Sequence, residues 1–291
     1  MSGSPTEKPP WNPKGLGYVR RPGAADRSGI LDTDTTAFDD GLTSAERREL
    51  LGIDWDWASI DTAVIGGTGV VDRALARFRA NLPVIVWDAA RLEGNNFTLP
   101  EVQTLLDGVT VEGKRIEDQD QILDLDAAYK ELDRFVTSGR FAADKAVSDR
   151  LHGLVARHEA IEAGHFRGQG SVNEGGSVRL SSGGTVEGRE HGESGALLIE
   201  AFQDIQDYLA GMRDPRQQAL VYAAAATRHQ FYFDGNKRTA KLMASGILMS
   251  AGFDAISVPY SRLYEQNVAL DRLFATDDAT SYMRLLADCA R

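Results

Sequence analysis

The stretch Arg228-His229-Gln230-Phe231-Tyr232-Phe233-Asp234-Gly235-Asn236-Lys237-Arg238-Thr239-Ala240-Lys241 decides the reading of this chain. Just upstream, Asp214-Pro215-Arg216-Gln217 supplies an N-cap, a proline at the first helical position and a glutamine beyond it. A helix therefore opens at Pro215, and its alanine-rich run carries it to about His229. Downstream, Asn236 opens a second helix, which Gly252 closes. Residues 230–235 form the loop between them.

The loop suits a polyphosphate. Asn236, Lys237 and Arg238 lie at a helix N-terminus, where unpaired N–H groups and the helix dipole favour an anion. Gly235 lets the backbone approach a ligand with no Cβ in the way. Lys237 and Arg238 supply positive charge, and a guanidinium can hold two phosphate oxygens at once. Asp234, beside these donors, would repel phosphate unless Mg²⁺ bridged the two. His229, at the end of the preceding helix, has the chemistry to accept a proton from a hydroxyl nucleophile.

Working outward, the rest of the chain reads as mainly α with one hairpin. Thr43 and Glu46 offer a capping box for a short helix ending near Leu51. Residues 71–93 read as helical in two pieces, broken near Asn81-Leu82-Pro83. Thr98 and Glu101 cap a helix running to about Asp107, and the period of Ile122, Leu123, Leu125, Ala128, Leu132 and Phe135 predicts another over 117–137. Further helices are expected over 143–158, 194–212, 261–274 and 281–290. Residues 164–195 hold ten glycines and short alternating stretches around Val172 and Val178-Arg179-Leu180, the pattern of a β-hairpin or flap in a long loop. Prolines 5, 9, 10, 13 and 22, with Gly and Ser between them, mark residues 1–42 as a mobile tail.

Bulk properties narrow the function. The net charge of −11 argues against general affinity for nucleic acid while leaving room for a local anion site. No apolar run approaches the ~20 residues that span a bilayer, and the N-terminal residues lack an apolar signal core. One cysteine, Cys289, gives neither a disulfide framework nor a metal cluster. A cytoplasmic protein with no membrane partner is the simplest expectation.

The motif resembles that of the Fic family, HxFx(D/E)GN(G/K)RxxR. The likeness extends from about Leu82 onward. ARLEGNNFTLPEVQTLLDGVTVEGK is similar to the family's SSxIEGNxxTxxEVxxLLxG segment; Gly164-His165-Phe166-Arg167 with the Gly-rich hairpin resembles its flap, and AGFDAISVPYSRLYEQNVALDRL its Ile-x-Val-Pro tail. The resemblance implies a Fic-type helical bundle with a β-hairpin flap over 43–291, with its core at about 143–291 and an N-terminal inhibitory-like part at about 82–110. It implies transfer of AMP from ATP to a Ser, Thr or Tyr hydroxyl of a target protein docked at the flap (170–184). Asp234 would hold Mg²⁺, Asn236 would meet the α-phosphate and Arg238 the β-phosphate. Glu93-Gly94 would match an inhibitory motif whose Glu pairs with the last motif Arg. A homodimer is left open.

Several positions depart from the family pattern. Ala89 stands where the inhibitory motif has Ser or Thr, and Lys241 where the last Arg is expected. Lys237 replaces the second Gly of GNG, as in the Doc branch, which phosphorylates its target instead. The family's histidine falls four residues before the acid, and Gln230 occupies that position. Two alignments compete. One keeps His229 and Phe231 and inserts a residue at Tyr232 or Phe233. The other keeps Gln230 and Tyr232 without insertion and loses the base, at a cost of roughly 10²–10⁴ in rate. A nucleotide-binding regulatory protein is the alternative to the enzyme.

Other features have plainer explanations. Gly66-Gly67-Thr68-Gly69 lacks the third glycine of a dinucleotide fingerprint and reads as a turn. His158, Glu159 and His165 lack zinc-helix spacing, and Ser194 reads as an N-cap. Trp55 and Trp57 read as packing residues.

Overall fold

In the computed structural model, which describes residues 37–172 and 175–290, the local start signals open helices where the sequence places them. Thr43 and Glu46 form a reciprocal capping box on α1 (Ser44–Leu51), and Thr98 and Glu101 another on α3 (Leu99–Leu106). The Asp144 carboxylate accepts the Val147 N–H to open α5 (Lys145–Val155), which ends a few residues before the expected limit. Asp214 caps α7 (Pro215–His229).

The expected break at Pro83 does not occur: α2 (Val71–Leu92) is one helix through it. A mid-helix proline costs about 3 kcal/mol. Leu75, Phe78, Ile85, Val86 and Ala89 lie buried on both sides of the proline, and α2 packs on α4 (Ile116–Thr137) and α3. Each fully buried apolar side chain contributes about 1.5–3 kcal/mol, so packing outweighs the lost hydrogen bond.

The centre of the fold is the pair α7 and α8 (Asn236–Ser250), which pack along their lengths. Every residue from Ala219 to Thr227 is buried. Small alanine side chains let the two backbones come close. Around them lie α6 (Ala196–Gly211), α9 (Leu263–Thr276) and α10 (Thr280–Asp288), the last two within a few residues of their expected spans. Ser194 does not cap α6. It sits at φ 52°, and Gly195, at φ 75°, takes the cap position.

The flap is a two-stranded antiparallel hairpin, β1 (Ser177–Arg179) with β2 (Thr185–Glu187), in register Val178 to Val186. The strand expected around Val172 does not form. Gly183 and Gly184, at φ 96° and 93°, reverse the chain after Leu180, so Val178 finds its partner C-terminal to it.

The reading of 1–42 as a tail falls on residues 1–36 outside the described part. Residues 37–42 are tied to the body: the Phe38 N–H donates to Gln217, its ring meets Tyr208 edge-on, and the Tyr208 hydroxyl donates to Asp40. Gly66–Gly69 is a turn bridging to Phe253, and Trp55 is buried against Trp57 and Tyr208. Among the described residues no helix is long and apolar enough to cross a membrane.

Candidate active site

Helix α7 ends at His229 because Gln230 turns left-handed, at φ 53°, ψ 59°. Residues 230–235 then loop back to Gly235, itself at φ 71°, which begins α8 without any side-chain cap. The first turn of α8 thus presents its N–H groups to a cavity of about 330 Å³. Glu93, Gln230, Phe233, Asp234, Lys237 and Arg238 line it, and the flap residues Val178 and Arg179 form its far wall.

The structure separates the two histidine alignments. His229 lies outside the cavity, 1% exposed, with its ring against the C-terminus of α1. A Cβ at Gly52, which sits at φ 71°, would stand 2.9 Å from the ring's Cε1. Burial, with Arg189, Arg228 and Arg167 nearby, pushes the His229 pKa down to about 3. Gln230 lines the cavity instead, at the place an uninterrupted motif gives to the base. Its amide is engaged: Nε2 donates to the Thr227 carbonyl at 2.6 Å, and Oε1 accepts from Asn236 at 3.1 Å. One residue of helix, about 100° of rotation, separates a ring sealed under α1 from a side chain facing the ligand space.

Asn236 also lines the cavity. Its side chain turns inward, accepting the Tyr232 N–H at 2.8 Å and donating to the Tyr232 carbonyl and to Gln230. Its backbone N–H, at the start of α8, is what it offers the cavity. Tyr232, in turn, donates to Asp149, shares a hydrogen bond with Ser148 and stacks on His152 at 3.7 Å. His152 is fully buried and hydrogen-bonded at both nitrogens, to the Asp234 carbonyl and from the Gly164 N–H. These partners fix a neutral ring, and burial holds its pKa at about 4.

Charges of both signs share the site. Arg238 is 4% exposed at its side chain and ion-pairs with Glu159 and, at 3.6 Å, with Asp234. Burial works against its charge, but Glu93, Glu159 and Asp234 outweigh it and raise its pKa. Glu93, at the C-cap of α2, meets Lys237 at 3.4 Å, not the expected Lys241. Burial raises the Glu93 pKa, yet Lys237, Arg238 and Lys241 together bring it below the usual carboxylate range. Lys241 is buried behind the cavity wall and donates to Gln266; burial pulls its pKa down to about 8 although Glu93 opposes that. Gly94, exposed at φ 90°, ends α2 and does not reach the cavity. Asp234 is the most open acid, 62% exposed at its side chain. Among the described residues no group of three His, Cys, Asp or Glu could hold a metal alone.

Arg167, read from the sequence only as part of the flap resemblance, holds the motif loop to the flap. Only 3% exposed, its guanidinium donates to the carbonyls of Gln230, Gly175, Arg189 and His229, and its own N–H reaches the Phe231 carbonyl. It binds the motif loop to both ends of the flap. At the flap tip, the Asp271 carboxylate of α9 accepts from the Ser181 N–H, the Ser181 hydroxyl and the Ser182 N–H. The Phe166-Arg167 pair before a Gly-rich hairpin was the sequence signal for the first clasp; nothing local signalled the second.

Among curated proteins, Protein adenylyltransferase Fic of Drosophila willistoni is 27% identical over 208 residues, 70% of this chain and 39% of that protein. The protein of the same name from Drosophila melanogaster is 27% identical over 210 residues, with the same coverage. The chain thus spans about 39% of the length of the curated relatives it matches. Among solved structures, Fic-1 from C. elegans superposes with a TM-score of 0.60 at 21% identity, over 85% of this chain and 70% of that one. A Fic domain containing signaling protein from Bacteroides thetaiotaomicron gives a TM-score of 0.59 at 18% identity, over 75% and 86%. No family model matches the chain. The structural likeness shows a Fic-type fold with its β-hairpin flap.

Proposed function

We propose that this chain of Fic-type fold is a Fic family protein that binds ATP with Mg²⁺ in the cavity at the start of α8 and transfers AMP to a Ser, Thr or Tyr hydroxyl of a target protein docked at the flap, 170–184. The observation that carries this reading is the uncapped N-terminus of a 15-residue helix opening with Lys237 and Arg238 into a 330 Å³ cavity. The relatives named adenylyltransferase support the group transferred. In the step, the acceptor oxygen bonds to the α-phosphorus, the bond to pyrophosphate breaks, and the hydroxyl proton leaves. Asp234 would take the metal, whose charge offsets that of the phosphates. The α8 N–H groups, Lys237 and Arg238 would hold the phosphates, and Glu93 would restrain them by occupying Lys237. A cytoplasmic setting remains part of the reading, on the sequence grounds above.

Gln230 sets the rate. A glutamine amide takes no proton at neutral pH, so the hydroxyl proton must pass to water, and turnover is expected to be slow by roughly 10²–10⁴. The same observation favours a second reading, a nucleotide-binding regulatory protein that performs no transfer. Lys237 leaves Doc-like phosphate transfer as the alternative chemistry. ATP labelled separately at the α- and γ-phosphates, incubated with the protein and its Glu93→Gly variant, tells these apart. Label from the α-phosphate that grows in the variant supports AMP transfer. Label from the γ-phosphate alone supports phosphotransfer, and calorimetric ATP binding without label supports the regulatory reading.

A further inference from the structure

A second cavity, of about 250 Å³, lies between α2 and the turn that follows α8. Phe78, Val84, Ile85, Ala255 and Pro259 give it apolar walls. Two carboxylates, Asp88 and Asp254, also line it, and they differ in state. Asp254 is neutralised by Arg77, whose Nε donates to it. Asp88 is 6% exposed and receives one hydrogen bond, from the Tyr260 N–H to Oδ1 at 2.8 Å. No ion pair reaches it directly among the described residues, the buried Lys241 acting on it only through space, and no hydrogen bond to Oδ2 forms there. A carboxylate so buried normally has a cation or several donors on it, because burying an ion costs several kcal/mol otherwise.

We infer that this cavity binds a small organic cation, a primary ammonium on a short apolar stem, with the ammonium on Asp88 and the stem against Phe78, Ile85 and Pro259. An ammonium brings three donors and one positive charge, which matches one unpaired carboxylate beside a neutralised pair. The apolar walls select an organic cation over a bare metal ion, which asks for six or more oxygen ligands. The site lies apart from the phosphate cavity and does not depend on the nucleotide reading.

The test titrates the intact chain with n-butylammonium while following the backbone amides of Asn81, Asp254 and Tyr260 by NMR. Saturable shifts are expected at these amides. Binding should weaken at least about tenfold for n-butanol, which keeps the stem and lacks the charge, and for Asp88→Asn, which still accepts the Tyr260 N–H. Val84→Trp, at a position 37% exposed on the rim, should block binding with the fold intact. Equal affinity for butanol, an unaffected Asp88→Asn, or no saturable shift at millimolar butylammonium would each overturn the inference. Ca²⁺ shifting the same amides where butylammonium does not would overturn it in favour of a metal site.

Discussion

Replacing Arg167 by alanine removes a side chain whose hydrogen bonds join the motif loop to the flap. Three carbonyls, of Gln230, Gly175 and Arg189, lose their donor together, and that of His229 keeps only the Arg189 N–H. Hydrogen bonds to a charged group contribute about 1.5–3 kcal/mol each. Part of that is returned, since the guanidinium no longer has to be buried and the carbonyls nearest the cavity can take water. A net loss of about 3–5 kcal/mol remains, roughly a fifth or more of the ~5–15 kcal/mol stability of a typical domain. At ~2–4 °C per kcal/mol for a domain of this size, Tm should fall by roughly 6–20 °C. Arg167→Lys keeps the charge and loses the fork, so it should recover less than half of the difference. Urea unfolding supplies the magnitude, and hydrogen exchange at Gly176, Val178 and Val186 supplies the location. An Arg167→Ala loss under about 1 kcal/mol, with flap exchange unchanged, would refute the clasp.

Three further outcomes follow from the geometry. Glu93→Gln removes a negative charge from the cavity wall and frees Lys237, so ATP affinity should rise at least about tenfold by calorimetry; no change would show that Glu93 does not face the phosphates. Asp271→Ala releases the flap tip, so amide exchange at Leu180 through Gly184 should speed up while α9 stays protected, and unchanged exchange would deny the latch. His152 and His229 have folded pKa values of about 4 and 3, both below the ordinary 6.5. Between those limits the unfolded chain binds more protons, so these rings withdraw stability as pH falls from about 6.5 towards 4. Their NMR ring resonances should stay fixed between pH 7.5 and 5.5, and a titration there would contradict their burial.

What was legible in the sequence was local. The capping boxes at Thr43 and Thr98, the Asp214-Pro215 start and the Gly252 stop act within a few residues, so their helices fall where expected. The Pro83 break was misread because the packing of α2 on α4, remote in sequence, decides it. The cavity-facing end of α8 was legible from Asp234 to Arg238, since helix starts and charges are sequence features. The histidine was not. Whether His229 or Gln230 faces the cavity depends on a left-handed residue at the end of α7 and on a ring-shaped space under Leu51 and Gly52, far upstream. Asn236 was assigned by motif to a phosphate, yet the loop it must close consumes its amide. Glu93 lines the cavity and meets Lys237 directly, while Lys241, drawn behind the wall by Gln266, acts on it only through space.

The most direct test compares α-phosphate labelling by the native chain, Gln230→His and His229→Asn in the Glu93→Gly background. Histidine tolerates the left-handed conformation that position 230 requires. The account predicts that Gln230→His raises labelling by roughly 10²–10⁴, while His229→Asn leaves it unchanged at a temperature where the variant stays folded. Labelling that is lost with His229→Asn and unmoved by Gln230→His would contradict it, and would put His229 at the phosphates after all.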